Sequence, residues 1–208
     1  TIANFNFMKA LHHFIVRVPK RFEDTIEVGG QELYLDSKWN EFENRIAYGE
    51  IVSVPLRYSG DAKKGDTLIF HHHVTTNSAL KISDDLGDDL YMCMYNEEHG
   101  QLSQAIAYRS KDTEELHMLA DWLFVLPVDQ TKEEEKTEGG IIIPDLNPEV
   151  RDIAEVYTPH PELEEQDVNP GDIVGFEKSA DYKIKLDNDD IVYRMRVQDI
   201  SYVEVHDD

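Results

Sequence analysis

The chain has 208 residues, with 43 acidic against 20 basic side chains and a formal net charge of −23. A surplus of that size repels phosphate backbones and anionic lipid surfaces, and it excludes non-specific binding to nucleic acid. Hydrophobic residues at 40% supply a core for one large or two small domains. Cys93 is the sole cysteine, so there is neither an intramolecular disulfide framework nor a four-thiolate metal site, and a reducing compartment is expected. No apolar run is long enough to span a bilayer and no secretion signal opens the chain, so the expectation is a soluble, intracellular protein with no membrane partner.

In chain order the apolar runs are short and rich in β-branched and aromatic residues: FIVRV at 14–18, ELYL at 32–35, EIVSV at 50–54, TLIF at 67–70 and LYMCMY at 90–95. A second series follows with WLFVL at 122–126, III at 141–143, AEVY at 154–157, DIVGF at 172–176, YKIKL at 182–186, IVYRMRV at 191–197 and SYVEV at 201–205. The best helical candidate is the segment containing Leu116, Leu119 and Ala120, which reads as a short linker between two strand-rich halves.

The halves repeat one another. LHHFIVRVP at 11–19 answers ADWLFVLPV at 120–128, VGG at 28–30 answers EGG at 138–140, and EIVSVP at 50–55 answers AEVYTP at 154–159. KKGD at 63–66 precedes TLIF as NPGD at 169–172 precedes IVGF, and GDDLYMCM at 87–94 answers NDDIVYRM at 188–195. Two similar β-domains, 8–109 and 117–206, follow from this order. Domains of this size with short strands usually close into small barrels, because closure hides the unpaired strand edges. The glycines of the Gly-Asp turns, Gly65 and Gly171, belong to the scaffold, since neither half contains a phosphate-cradling motif.

At TKEEEKTEGGIIIPD, residues 131–145, a charged stretch ends in Gly139, Gly140, Ile141, Ile142 and Ile143. An apolar triplet there is either a buried strand after a glycine turn or an exposed arm that offers isoleucines to a groove on a partner. Taken in order, ADWLFVLPV, EGGIIIPD, RDIAEVYTP, NPGDIVGF, KIKLDNDDIVYRM and QDISYVEV closely resemble the GroES-like co-chaperonin family. The first half resembles it more loosely, through HHFIVRVP, VGGQELYLD, YGEIVSVP, KKGDTLIF and GDDLYMCMYNEEHGQLSQAIAY.

The resemblance implies an all-β protein of two GroES-like irregular small β-barrels in tandem. It further implies a homo-oligomeric ring that caps a chaperonin chamber, encloses a substrate protein indirectly, and carries no cofactor, metal or catalytic residue of its own. A cytoplasmic location follows, or the host cytoplasm if the source is a phage, which the doubled repeat leaves open. On this reading Ile141, Ile142 and Ile143 match the family's mobile-loop anchor, which enters a groove on the chaperonin's apical domain, and Gly139 and Gly140 give the bend before it. The family's rings are built from single barrels, so a chain with two leaves the subunit count open. The first half departs at the corresponding place: Gly29 and Gly30 are followed by Gln31 and Glu32, and the apolar residues Leu33, Tyr34 and Leu35 arrive two positions late. These form either a second contact loop or an ordinary barrel strand. PHPELEEQD at 159–167 is shorter than the family's roof hairpin, implying a reduced roof.

Two other readings compete. An enzyme would need a constellation that the chain lacks. His71, His72 and His73, read as strand, divide between two faces; DNDD at 187–190 lacks calcium-loop spacing; Cys93 lies in an apolar neighbourhood. A structural or adaptor protein, such as a viral assembly component, could instead reuse the scaffold without capping.

Overall fold

The computed structural model describes residues 9–19, 25–29, 31–34, 45–76, 80–82, 89–97, 102–128, 153–177 and 180–204. The first half contains β1 (His13–Arg17), β2 (Thr25–Val28), β3 (Gln31–Tyr34), β4 (Tyr48–Ser53), β5 (Thr67–Phe70), α1 (His73–Thr76), β6 (Leu90–Met94), β7 (Ala105–Arg109) and β8 (Leu116–Met118). The second contains β9 (Trp122–Pro127), β10 (Ile153–Val156), α2 (Pro161–Glu164), β11 (Ile173–Phe176), β12 (Tyr182–Lys185), β13 (Ile191–Arg196), a 3₁₀ turn (Val197–Asp199) and β14 (Ile200–Glu204). Two compact units result, one of Thr1–Trp122 with Ile184–Ile191 and one of Leu123–Lys183 with Val192–Asp208.

The protein is all-β, but the expected barrels are not there. One six-stranded sheet runs β6-β1-β4-β5-β7-β8 and the other β12-β13-β9-β10-β11-β14, each open at both ends, with β2-β3 a separate two-stranded hairpin. Closure requires strand number, tilt and register stagger to agree around a full circuit. Here neither sheet curls enough for its outermost strands to meet, and β8 pairs with β7 alone among the described residues. The segment read as a helical linker holds β8 instead: Leu116 serves that edge strand, Leu119 packs into the first core, and the preceding turn is too short to nucleate a helix.

Alternation of side chains builds a core on one face of each sheet. In the first, Phe14, Val16, Ile51, Leu68, Phe70, Tyr91 and Cys93 pack together, and a smaller group of Ile15, Ile82 and Leu90 gathers separately. In the second the core is Leu123, Val125, Ala154, Val156, Val174, Phe176 and Met195.

The two sheets are the same object built twice. β1 lies between β6 and β4 as β9 lies between β13 and β10, and β5 and β7 continue the order as β11 and β14 do. Even Lys81, bridged to Tyr91, stands beside β6 where β12 flanks β13. The Gly-Asp turns agree atom by atom. Gly65 N donates to Ile51 O and Gly171 N to Val156 O, both at 2.9 Å, and the aspartates accept from Lys63 N at 2.8 Å and Asn169 N at 2.7 Å. Both glycines hold positive φ, +97° and +100°, a conformation that side chains resist.

Two of the sequence correspondences shift by one residue. Val16 pairs Ile51 and Val125 pairs Val156, so EIVSVP answers EVYTPH at 155–160 rather than AEVYTP. Likewise Tyr91 and Cys93 face the first core where Tyr193 and Met195 face the second, moving the match of β6 to β13 by one. The physical reason is the period of two: a one-residue slip would turn every apolar side chain of the strand to the wrong face.

Candidate functional site

Both copies send out a long connection from the same place. In the first, β1 and β4 are antiparallel neighbours with Arg17 opposite Glu50, and residues 18–47 link them. In the second, Pro127 lies opposite Ala154, so the connection of 128–152 leaves β9 and re-enters β10 on adjacent strands at one end of the sheet. The Gly-Asp turns close the opposite end. The sheet therefore fixes both feet of each connection.

Gly139, Gly140, Ile141, Ile142 and Ile143 fall within the second connection and lie outside the described residues. In the first connection β2 and β3 form a hairpin in which Val28 pairs Gln31, with Gly29 in the turn between them. Gly29 has φ +60°, as the tight turns favoured by hairpin twist require. Leu33 and Tyr34 are exposed, at 47% and 86%, so they belong to neither core. A two-stranded ribbon alone is marginally stable in water, and an exposed leucine and tyrosine on it are available to a partner. Gly30 and Leu35 lie outside the described residues.

The remaining candidates sort by their surroundings. Cys93 is fully buried in the first core, and burial pushes its thiol well above the ordinary range, the reverse of what a nucleophile needs. DNDD forms the β12–β13 turn: Leu186 N donates to Asp190 O and Asn188 Nδ2 to the Asp190 carboxylate, while the Asp187 carboxylate accepts from Arg109 Nε at 3.0 Å and Asp189 pairs with Lys185. PHPELEEQD forms α2, with Pro161 in its first turn and His160 Nδ1 accepting from Glu162 N at 3.3 Å.

The histidine run does not divide between faces. β5 ends at Phe70, the chain turns into α1, and the three imidazoles come together with ring centroids 4.2–4.6 Å apart. Reading the run as strand missed this. The available signal was the loss of apolar alternation after Phe70, followed by two threonines, whose hydroxyls bond back to the carbonyls of His72 and His73.

Two open sheets in tandem, with long connections rooted at equivalent positions, define a duplicated β-scaffold that presents loops. A sequence profile described as the chaperonin 10 Kd subunit matches residues 115–203. The chain is 39% identical over 74 residues to the co-chaperonin GroES of Kosmotoga olearia and 42% identical over 74 residues to that of Pseudothermotoga lettingae. Each match covers 36% of this chain and 80% of the relative. The GroES of Petrotoga mobilis is similar at 39% identity over 74 residues. The chain belongs to the chaperonin 10 family, by virtue of its second half. These relatives lend a phage origin no support. Among the described residues no helix is long and apolar enough to cross a membrane.

Proposed function

We propose that the protein is a co-chaperonin whose second copy contacts the apical domains of a chaperonin ring through Ile141, Ile142 and Ile143, with Gly139 and Gly140 as the bend, and so caps the chamber in which substrate proteins fold. The chain works as a homo-oligomeric ring in the cytoplasm and performs no chemistry of its own. Its repeat copies, 8–109 and 117–206, have unequal duties. The observation that carries the reading is the family match over 115–203, which includes the whole GGIII connection and both strands that hold its feet.

Energetics favour such a device. Ordering a loop costs about 1–2 kcal/mol per residue, which keeps each contact weak enough to release, and several loops on one ring restore strength through multivalency. The first copy bears a paired hairpin where the second has the apolar triplet, which favours a subsidiary contact at Leu33 and Tyr34. The test is nucleotide-dependent co-sedimentation with a chaperonin ring. Replacing Ile141, Ile142 and Ile143 together by serine should abolish it while leaving the circular-dichroism spectrum unchanged; retained binding would overturn the loop assignment.

A further inference from the structure

We propose that His71, His72 and His73 form a three-imidazole binding site for a divalent transition ion of the zinc class. One ligand nitrogen from each residue lies within 4.8 Å of the others. Around a tetrahedral zinc with bonds of about 2.0–2.1 Å, ligand nitrogens sit roughly 3.4 Å apart. Each pair of nitrogens therefore has to close by roughly 1.4 Å at most to share one ion.

The backbone is already held in the needed turn. His71 N donates to Gln104 O at 2.8 Å, Val74 N closes onto His71 O at 2.9 Å, and the hydroxyls of Thr75 and Thr76 bond to the carbonyls of His72 and His73. These bonds place three consecutive side chains on one side of the chain, which neither a strand nor an uninterrupted helix would do. His72 is buried, His71 is partly buried and His73 is exposed, so an ion there would sit at the protein boundary with its fourth position open to water. His73 N donates to His71 Nδ1 at 3.2 Å, and metal binding through either nitrogen of His71 exchanges that bond for the metal bond.

Neutral imidazoles suit zinc, nickel and copper, and the absence of thiolates leaves a nitrogen-only set. No carboxylate or thiolate joins the group among the described residues. The site also has a position in the architecture. Phe70 N donates to Ala47 O at 2.8 Å, so the histidines follow β5 at the end of the sheet from which the 18–47 connection departs. A bound ion would fasten the end of β5 to α1 beside the foot of that connection.

The test uses the full chain, stripped with chelator and titrated with Zn²⁺ by calorimetry and with Co²⁺ by visible absorption. One equivalent is expected, with the intense d–d bands of a four-coordinate nitrogen site. His73→Ala, at an exposed position that the fold tolerates, should weaken Co²⁺ affinity at least tenfold, and a triple His71→Asn, His72→Asn, His73→Asn variant should remove the spectrum. His12→Ala with His13→Ala is the control and should leave both readouts unchanged. Unaltered affinity in His73→Ala, or a spectrum lost with the control pair instead, overturns the proposal. So does a weak octahedral spectrum in the parent chain.

Discussion

The two copies share a topology, a turn and a register shift, between Ile69 and Phe70 in one and Gly175 and Phe176 in the other, yet they use them differently. In the first, residues 18–47 include a paired hairpin with an exposed leucine and tyrosine; in the second, the equivalent connection carries three isoleucines. In the first, Tyr58, Tyr95 and Phe14 stack edge to face around the core, with centroids 5.1–5.7 Å apart. At the places of Tyr58 and Tyr95 the second core has the aliphatic Leu163 and Val197. Duplication has thus preserved backbone hydrogen bonding while each copy's side chains were refitted, so functional differences are to be sought in connections and rung partners rather than in the strands.

The largest expected contrast is between the loops. Ile141, Ile142 and Ile143 replaced together by serine should eliminate chaperonin co-sedimentation, whereas Leu33→Ser with Tyr34→Ser should reduce it a few-fold at most; equal losses would show that the copies share the contact evenly. Next comes the Gly-Asp turn. Asp66 is buried and accepts from both Lys63 N and Lys111 N, while Asp172 is partly exposed, and Asn169 N is the donor to it seen here. Asp66→Ala should cost about 3 kcal/mol and Asp172→Ala about 1 kcal/mol by urea denaturation. Identical values would mean that the turn, and not its burial, sets the cost.

A smaller effect is expected at the rung that follows each turn. In the first sheet Ile69 faces Ala107; in the second Gly175 faces Tyr202, whose ring fills the space where a β-carbon would be added. Gly175→Ala should destabilise by about 1–2 kcal/mol, and Tyr202→Ala in the same chain should recover part of it in a double-mutant cycle. Additive losses would refute the pairing. The smallest effect concerns pH. Burial raises the Tyr95 phenol to about 12 and also raises Tyr58. In the unfolded chain these groups ionise from about pH 10, so the folded form retains protons that the unfolded form sheds, and stability should fall as pH climbs from 10 toward 12. Tyr95→Phe should flatten that fall in an alkaline titration followed by circular dichroism; an unchanged slope would place the sensitivity elsewhere.

Much of this was legible in the residues. Eleven of the strands followed from β-branched runs, although β2, β7 and β8 did not, the family followed from the order of six motifs, and the paired turns from Gly65-Asp66 and Gly171-Asp172. Closure was not legible, because whether short strands curl into a barrel or stop as an open sheet depends on stagger summed over all rungs, which no single run encodes. Register slipped by one where prolines were aligned, Pro55 with Pro159, since a proline marks where a strand ends and not which face it presents. The histidines were misjudged for a related reason: strand alternation was extended past Phe70, although the chain had already turned.

The exchange of volumes between Ile69–Ala107 and Gly175–Tyr202 bears on how such a chain folds at all. Tandem copies with matching backbones invite each strand to pair with the wrong sibling, a common hazard for duplicated sequences. If β11 took the place of β5, glycine would face alanine and leave a hole; if β5 took the place of β11, isoleucine would be driven into the tyrosine ring. Each strand is keyed to its own neighbour, and one rung of mismatched sizes helps keep the siblings apart.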